Sequence, residues 1–342
     1  MPERLIDKLR ELLASAEGRV VYVKHLREEL QLQPGTPQWE SIRVSMLRLA
    51  EQKVVKPSGL NDGGFKVLIP IKPVVFSLEG DDKEGVLPVR FPRSYIDDTT
   101  FGLEDMVELS EGDCVLITGE TNLGKTAMAL SFLGENLGLF DESDLMGSEA
   151  TSSAGEISPK LRRRLRRMDW AKWEENGKMR FNLLPVEHDY EDYIEPNRLT
   201  VIDWITIPGE FWLIDTLMKT IKNSIGRGLC IPVLQKNKGN EFAEGGQRSE
   251  RYADLVLKID RFGQYESMMT IGKVKSAKTK ATGRTFAFTI TDYGANLQYI
   301  REVVKCSKCW SRGYIKNQGE ANRCPVCKGK KFVDKGGIDE TR

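Results

Sequence analysis

Residues 114–126 read CVLITGETNLGKT, an apolar run that passes directly into the pattern GxxxxGKT. Strand, glycine loop and helix in that order describe a cradle for phosphate groups. Gly119 and Gly124 free the backbone to turn successive N–H groups inward, across a loop completed by Glu120, Thr121, Asn122 and Leu123. The loop opens into a helix expected over 125–133, whose N-terminal dipole favours anions. Lys125 is expected to offer its ammonium to the β and γ phosphates of ATP, and Thr126 its hydroxyl to Mg²⁺. The plain alternative is a glycine turn between strand and helix. It leaves the lysine and threonine unexplained.

The rest of the chain bounds what surrounds this loop. Its 342 residues fit two or three domains, one large enough for a full α/β core. Lys plus Arg number 51 against 50 Asp plus Glu, a net charge of +1, so affinity for nucleic acid has to come from local patches. No apolar run approaches the length of a membrane span, and the opening MPERLIDKLRELL is amphipathic and acidic in part rather than a leader, so the expected location is cytoplasmic, with no membrane partner.

A second strong pattern stands at the other end. Cys306-x2-Cys309, fourteen residues, then Cys324-x2-Cys327 has the spacing of two knuckles that close a tetrahedral Zn²⁺ site. Residues 301–335 are expected as a zinc ribbon, its metal structural because so short a segment has too little core of its own. A pair of disulfides is the alternative, disfavoured by an intracellular setting. Cys114 and Cys230 lie in apolar strands and read as small core residues.

At the N-terminus, Leu5, Ile6, Leu9, Leu12 and Leu13 share a helical face, a short strand over 19–23 leads into a second helix, and QPGTP opens a third with Thr36 as cap and Pro37 at its first position. Ile42, Met46 and Leu49 are expected inward, with Arg43, Ser45 and Arg48 outward. Two strands around SGLNDGG complete the unit. This order resembles a winged helix-turn-helix over 1–75, which implies Arg43 and Arg48 on DNA and Lys53, Lys56 and Lys66 near its backbone; protein docking is the alternative. Residues 76–98 read as a linker and 336–342 as a flexible tail. His25 and His188 lack nearby ligand partners and are given no metal role.

Between these ends, LTVIDW at 199–204 is a buried strand closing on Asp203, suited to order Mg²⁺ two strands from the loop. Trp204 follows, so the carboxylate that polarises the attacking water has to come from elsewhere, and Glu149 in DLMGSEA is the candidate. A solvated acidic loop is its alternative.

The strings GLEDMVELSEGDCVLITGETNLGKTAMAL, SEA, VIDW and IPVLQKNKGNEFAEGGQRSERYADLVLKI resemble the RecA-like ATPases of the DnaB-type helicases and their phage and archaeal relatives, over about 99–292. The resemblance implies an α/β fold with a RecA-like P-loop core over 99–300, a mainly parallel sheet, and a homo-oligomer in the form of a hexameric ring or filament. It also implies that Gln235 senses the γ phosphate, and that 236–250 faces single-stranded DNA through Lys236, Lys238 and Arg248. The family's cationic finger from the neighbouring subunit matches Lys273 and Lys275, the latter a lysine where the family has arginine, with Arg284 as a second candidate. The basic run KLRRRLRRMDW at 160–170 reads as a helix face for phosphate or acidic contacts, or as a solvated charge run. The function so implied is an ATP-hydrolysing DNA motor, a helicase or translocase in replication or recombination. An ATP-responsive DNA-binding regulator or a recombinase-like loader is the alternative.

Overall fold

The computed structural model describes residues 5–59, 63–70, 73, 75, 77–151, 155–205, 213–317 and 320–337. The chain divides into two compact units, 1–81 and 82–342.

The first unit runs α1 (Leu5–Ala14), β1 (Val20–Tyr22), α2 (Val23–Glu29), α3 (Pro37–Glu51), β2 (Val55–Pro57) and β3 (Gly64–Val67). Its antiparallel sheet has the order β1-β3-β2. Thr36 caps α3 by accepting from Trp39 N at 3.3 Å, with Pro37 at the first helical position. Leu9, Leu13, Leu26, Ile42, Met46, Leu49 and Val55 are buried together. Arg43 and Arg48 face outward, but Ser45, expected beside them, is buried. It falls three residues after Ile42 and four before Leu49, on the same helical stripe. The exposed side of α3 instead holds Val44 and Leu47, 49% and 46% exposed.

The second unit is an α/β fold. Its strands and helices are β4 (Val115–Gly119), α4 (Lys125–Glu135), β5 (Ser143–Met146), α5 (Pro159–Arg167), the small hairpin β6 (Glu174–Glu175) and β7 (Lys178–Met179), β8 (Asn182–Leu184), β9 (Leu199–Ile202), α6 (Ile214–Ser224) and β10 (Leu229–Gln235). There follow β11 (Leu255–Phe262), β12 (Glu266–Val274), β13 (Thr285–Thr291), β14 (Asn296–Lys305), β15 (Tyr314–Asn317), β16 (Glu320–Arg323) and β17 (Phe332–Asp334). A ten-stranded sheet has the order β17-β14-β13-β12-β11-β4-β10-β9-β5-β8. From β8 to β11 every neighbour is parallel, and from β11 to β17 every neighbour is antiparallel. Crossovers therefore supply the first part and hairpins the second.

Alternation along the central strands splits the core into two layers. Val115 and Ile117 of β4 pack with α4 on one face, while Cys114 and Leu116 pack with Ile214, Met218 and Ile221 of α6 on the other. Helix α4 is buried nearly all round, from Ala127 to Leu133, as a helix lodged inside a core has to be. Pro232 sits within central β10, an unusual place for a residue without an N–H. Cys230 N donates to Asp113 O and Val233 O accepts from Ile205 N, so the missing donor of Pro232 faces β4. The β10–β4 ladder begins only at Val233.

Two expected boundaries move. The linker expected over 76–98 is in its later part integral to the second unit: Phe91 is buried in the main core, with Leu87 and Val89 packed against it. Its sequence has no apolar periodicity because it packs as irregular backbone. The expected break at 300/301 falls inside β14, which carries the sheet into the cysteine-rich segment and pairs there with β17. Residues 338–342 of the expected tail lie outside the described residues. Among the described residues no helix is long and apolar enough to cross a membrane.

Candidate nucleotide site and cysteine centre

The loop 119–126 joins β4 to α4 at the parallel side of the sheet. Gly119 lies so close to β11 that a Cβ would stand 2.6 Å from Ile259 O, which no side chain tolerates. Gly124 takes a φ of 98°, in the left-handed region, and caps α4. Asn122 also has positive φ, 62°, a conformation asparagine accepts more readily than most. Lys125 is nearly buried and its Nζ donates to Glu120 O across the loop at 2.8 Å. Burial lowers the pKa of its ammonium, against the carboxylates of Asp203 and Glu120, which favour the charge.

The strand order puts β10 between β4 and β9, so the loop and the end of β9 meet across one intervening strand. There Thr126 Oγ1 donates to Asp203 Oδ1 at 3.2 Å. Asp203 N in turn donates to Met146 O at 2.8 Å, tying the end of β9 to that of β5. Gly147 follows β5, and a Cβ there would stand 2.1 Å from Asp203 O. That close passage sets the single 3-10 turn Ser148–Ala150, and with it Glu149, beside Asp203. Glu149 is exposed and lines a small cleft, about 30 Å³ in volume, with Thr126, Asp203, Lys160 and Arg164. Such a space suits a water molecule. Burial pushes the Asp203 carboxyl up and Glu149 adds to this, while the Thr126 hydrogen bond, Arg164 and Lys125 oppose it; the net shift is upward.

Arg164 and Lys160 are the residues that motif reading missed at this site. They belong to the basic run, whose Leu161 and Leu165 are buried. Arg164 lies at i+3 from Leu161 and next to Leu165, which places it on the inward edge of α5, and its Nε donates to Tyr293 O at 3.4 Å. The buried leucines within the arginine run carried that signal.

Gln235, half-buried at the end of β10, is the register partner of Gly119. The loop after it touches the phosphate loop: Gly239 N donates to Glu120 Oε1 at 3.2 Å, and Lys236 N to Gly119 O at 2.9 Å. Of the three cations expected to face DNA from this loop, Lys238 and Arg248 are exposed. Lys236 is a correction. Its side chain is buried in an ion pair with Asp260 of β11, because the pleat directs it into the sheet end.

The finger candidates all have partners in their own chain. Lys275 Nζ donates to Asp254 Oδ1 at 2.7 Å, and the same carboxylate holds Lys222 and accepts from Cys114 N. Lys273 Nζ donates to the carbonyls of Glu250 and Arg251 at 2.9 and 3.1 Å. Arg284 forms a two-pronged pair with Glu302 at 2.9 and 2.6 Å.

The four cysteines of the C-terminal pattern converge with their Sγ atoms all within 4.8 Å of one another. Cys306 and Cys324 are 3.9 Å apart and Cys309 and Cys327 3.6 Å, and all are unbridged thiols, so the disulfide alternative does not hold. A tetrahedron with metal–sulfur bonds of about 2.3 Å has edges of about 3.8 Å, so the donor set fits Zn²⁺. Against the burial that raises it, the Gly313 N–H and the neighbouring sulfurs bring the Cys309 thiol down to about 7, whereas burial pushes Cys327 up to about 11. Cys114 and Cys230 are buried core residues as expected.

No family model matches the chain, and no curated protein matches it either. Among solved structures it is similar to a KaiC-like protein from the hyperthermophilic archaeon Pyrococcus horikoshii OT3, at 19% identity and a TM-score of 0.43, over 62% of this chain and 99% of that one.

The oxygen donors at this candidate site, a threonine hydroxyl and a half-buried carboxylate, are the hard set that Mg²⁺ prefers. Placed at the mouth of a nest of loop N–H groups, they make the arrangement capable of holding a metal–polyphosphate.

Proposed function

We propose that this chain is a Mg²⁺-dependent ATPase of RecA-like type that assembles as a ring or filament and acts on DNA. The observation that carries the ATPase reading is the 3.2 Å approach of Thr126 to Asp203 across β10, directly under the glycine loop. Loop N–H groups and the α4 N-terminus take up phosphate charge. Lys125 exchanges its Glu120 carbonyl for phosphate oxygens, and Thr126 and Asp203 would hold Mg²⁺, which when bound offsets charge on the β and γ phosphates. Glu149 accepts a proton from water as its oxygen bonds the γ phosphorus, and the β–γ bridging oxygen departs with ADP. Gln235, beside Gly119, carries loss of the γ phosphate into the 236–250 loop, where Lys238 and Arg248 meet a single strand. Lys275 of an adjoining copy completes the pocket once released from Asp254. The cysteine centre holds structural Zn²⁺ as a zinc ribbon. The first unit serves as a winged helix that offers Arg43 and Arg48 of α3 to duplex DNA.

On this reading the protein is a helicase or translocase of replication or recombination. The pairing of Lys275 and Arg284 within their own chain favours a second reading, an ATP-responsive DNA-binding regulator or loader with slow chemistry. Hydrolysis measured with and without single-stranded DNA, together with unwinding of a tailed duplex, separates the two. A motor is stimulated many-fold and unwinds; a regulator shows little of either. Hydrolysis by Lys125→Ala equal to that of wild type would remove the ATPase reading itself.

A further inference from the structure

The cysteine centre is docked onto the main sheet, and at the seam lies an open cleft of about 810 Å³. One wall is the turn between β11 and β12, where Gly263 stands so near Lys330 that a Cβ would meet its Cε at 3.1 Å. The other is the second cysteine knuckle with the end of β16. The seam is fixed by the β14–β17 ladder and by Glu266, whose two oxygens take Arg301 at 2.7 Å and Lys330 at 3.0 Å.

That arrangement leaves a surplus of positive charge. Lys330 is matched by Glu266, but Lys238, Arg261, Arg323, Lys328 and Lys331 line the same cleft, are exposed, and have no carboxylate partner among the described residues. The remaining lining is glycine and Gln264, with no acidic and no large apolar side chain. Residues 301–335 contain ten Lys and Arg against three Asp and Glu, in a chain whose net charge is only +1. The cations are thus gathered here rather than spread. Tyr265, in the same turn as Gln264, leaves 84% of its surface exposed, a flat ring open to solvent. A row of unpaired cations beside an open aromatic face is the chemistry that holds a single-stranded backbone and stacks its bases.

We infer that this cleft binds single-stranded nucleic acid, with Arg261, Arg323, Lys328 and Lys331 on phosphates and Tyr265 under a base. The inference deepens the DNA-acting reading above, because Lys238 belongs both to this cleft and to the loop that touches Glu120 of the phosphate loop through Gly239. The strand path then runs from the nucleotide-linked loop onto the cysteine module.

The test uses the full, zinc-loaded chain without ATP and a fluorescent oligothymidylate, read by anisotropy across a salt series. Wild type is compared with the quadruple variant Arg261→Gln, Arg323→Gln, Lys328→Gln, Lys331→Gln, with zinc content and ATP binding as checks of folding. Loss of four contacts is expected to weaken binding more than tenfold at low salt and to flatten the log–log salt slope by about 0.7 per phosphate, near 3 in all. Tyr265→Ala alone is expected to weaken binding about fivefold or more. Unchanged affinity and slope in the quadruple variant, while wild type binds the strand, overturn the cleft and leave the DNA-acting reading standing. Wild type that binds no strand overturns both. Polyglutamate bound more tightly than the oligonucleotide at equal charge overturns the inference in favour of an acidic protein segment. Should the quadruple variant fail its folding checks, photocrosslinking of an iodouracil-substituted strand to wild type decides: adducts at Tyr265 or within 323–331 support the cleft, and adducts only elsewhere overturn it.

Discussion

Asp203 shows how a single side chain can be costly to the fold and, in the proposed mechanism, necessary to the chemistry. It is half-buried, its pKa is raised by desolvation and by Glu149, and its hydroxyl donor is Thr126. Between the ordinary aspartate pKa and the raised one, the folded chain holds a proton that the unfolded chain has lost. The stability of the ligand-free protein therefore falls as pH rises through that window. Asp203→Asn is expected to raise the melting temperature of the ligand-free protein at neutral pH, by about 2–4 °C per kcal/mol relieved, and to abolish Mg²⁺-dependent hydrolysis. A melting temperature lower than wild type, or retained hydrolysis, would count against this account of the residue. Lys236 makes the opposite point about legibility: in sequence it is one of several lysines in a glycine-rich loop, and only the pleat at the end of β10 reveals that it turns inward to Asp260. Glycine spacing made the phosphate loop legible because those positions are fixed by local backbone geometry, whereas a lysine's partner is fixed by strands far away in sequence.

Among the elements, β14 both pairs with the edge strand β17 of the main sheet and leads directly into the first cysteine knuckle. The cysteine pattern was legible because metal geometry restricts spacing. The shared strand was not, since nothing in the run of valines at 303–304 marks where one unit becomes the next. Chelation tests the arrangement by thiol counting with an alkylating reagent. The zinc-loaded native protein is expected to leave all six cysteines unlabelled, the chelated native protein to expose four, and the denatured chain all six. Cys114 resists because burial pushes its thiol up to about 12 and removes it from solvent. Labelling of Cys114 before the C-terminal four would contradict the assignment. In the first unit the Thr36 cap was fully readable, because capping is local. Thr36→Ala is expected to lower that unit's stability by about 1 kcal/mol in denaturant melts, leaving hydrolysis rates intact. Ser45 was misplaced for the reason that a polar side chain on an apolar stripe does not announce its burial.

Over the whole molecule, charge that nearly cancels in sum is sharply partitioned in space. Arginines crowd α5, with Glu149 and Asp203 beside its inward edge, and lysines and arginines crowd the seam of the cysteine module, where Glu266 matches Lys330 but the other cations of the cleft stand without carboxylates among the described residues. Composition concealed this because a sum has no geometry. The same holds for the finger candidates, each paired inside its own chain, so that the proposed assembly would exchange an internal contact for one across subunits. Lys275→Ala is expected to lower the specific ATPase rate only above the concentration at which the protein assembles, with no effect on the dilute monomer; an equal loss at all concentrations would place the residue's role within its own subunit. Whether the glycine loop, Asp203 and Glu149 form one hydrolytic site is decided by steady-state ATP hydrolysis of wild type beside Glu149→Gln, with nucleotide binding measured in parallel. Binding is expected to persist while the rate falls about 10²–10⁴-fold; a variant that hydrolyses ATP at the wild-type rate would show that Glu149 is not part of that site.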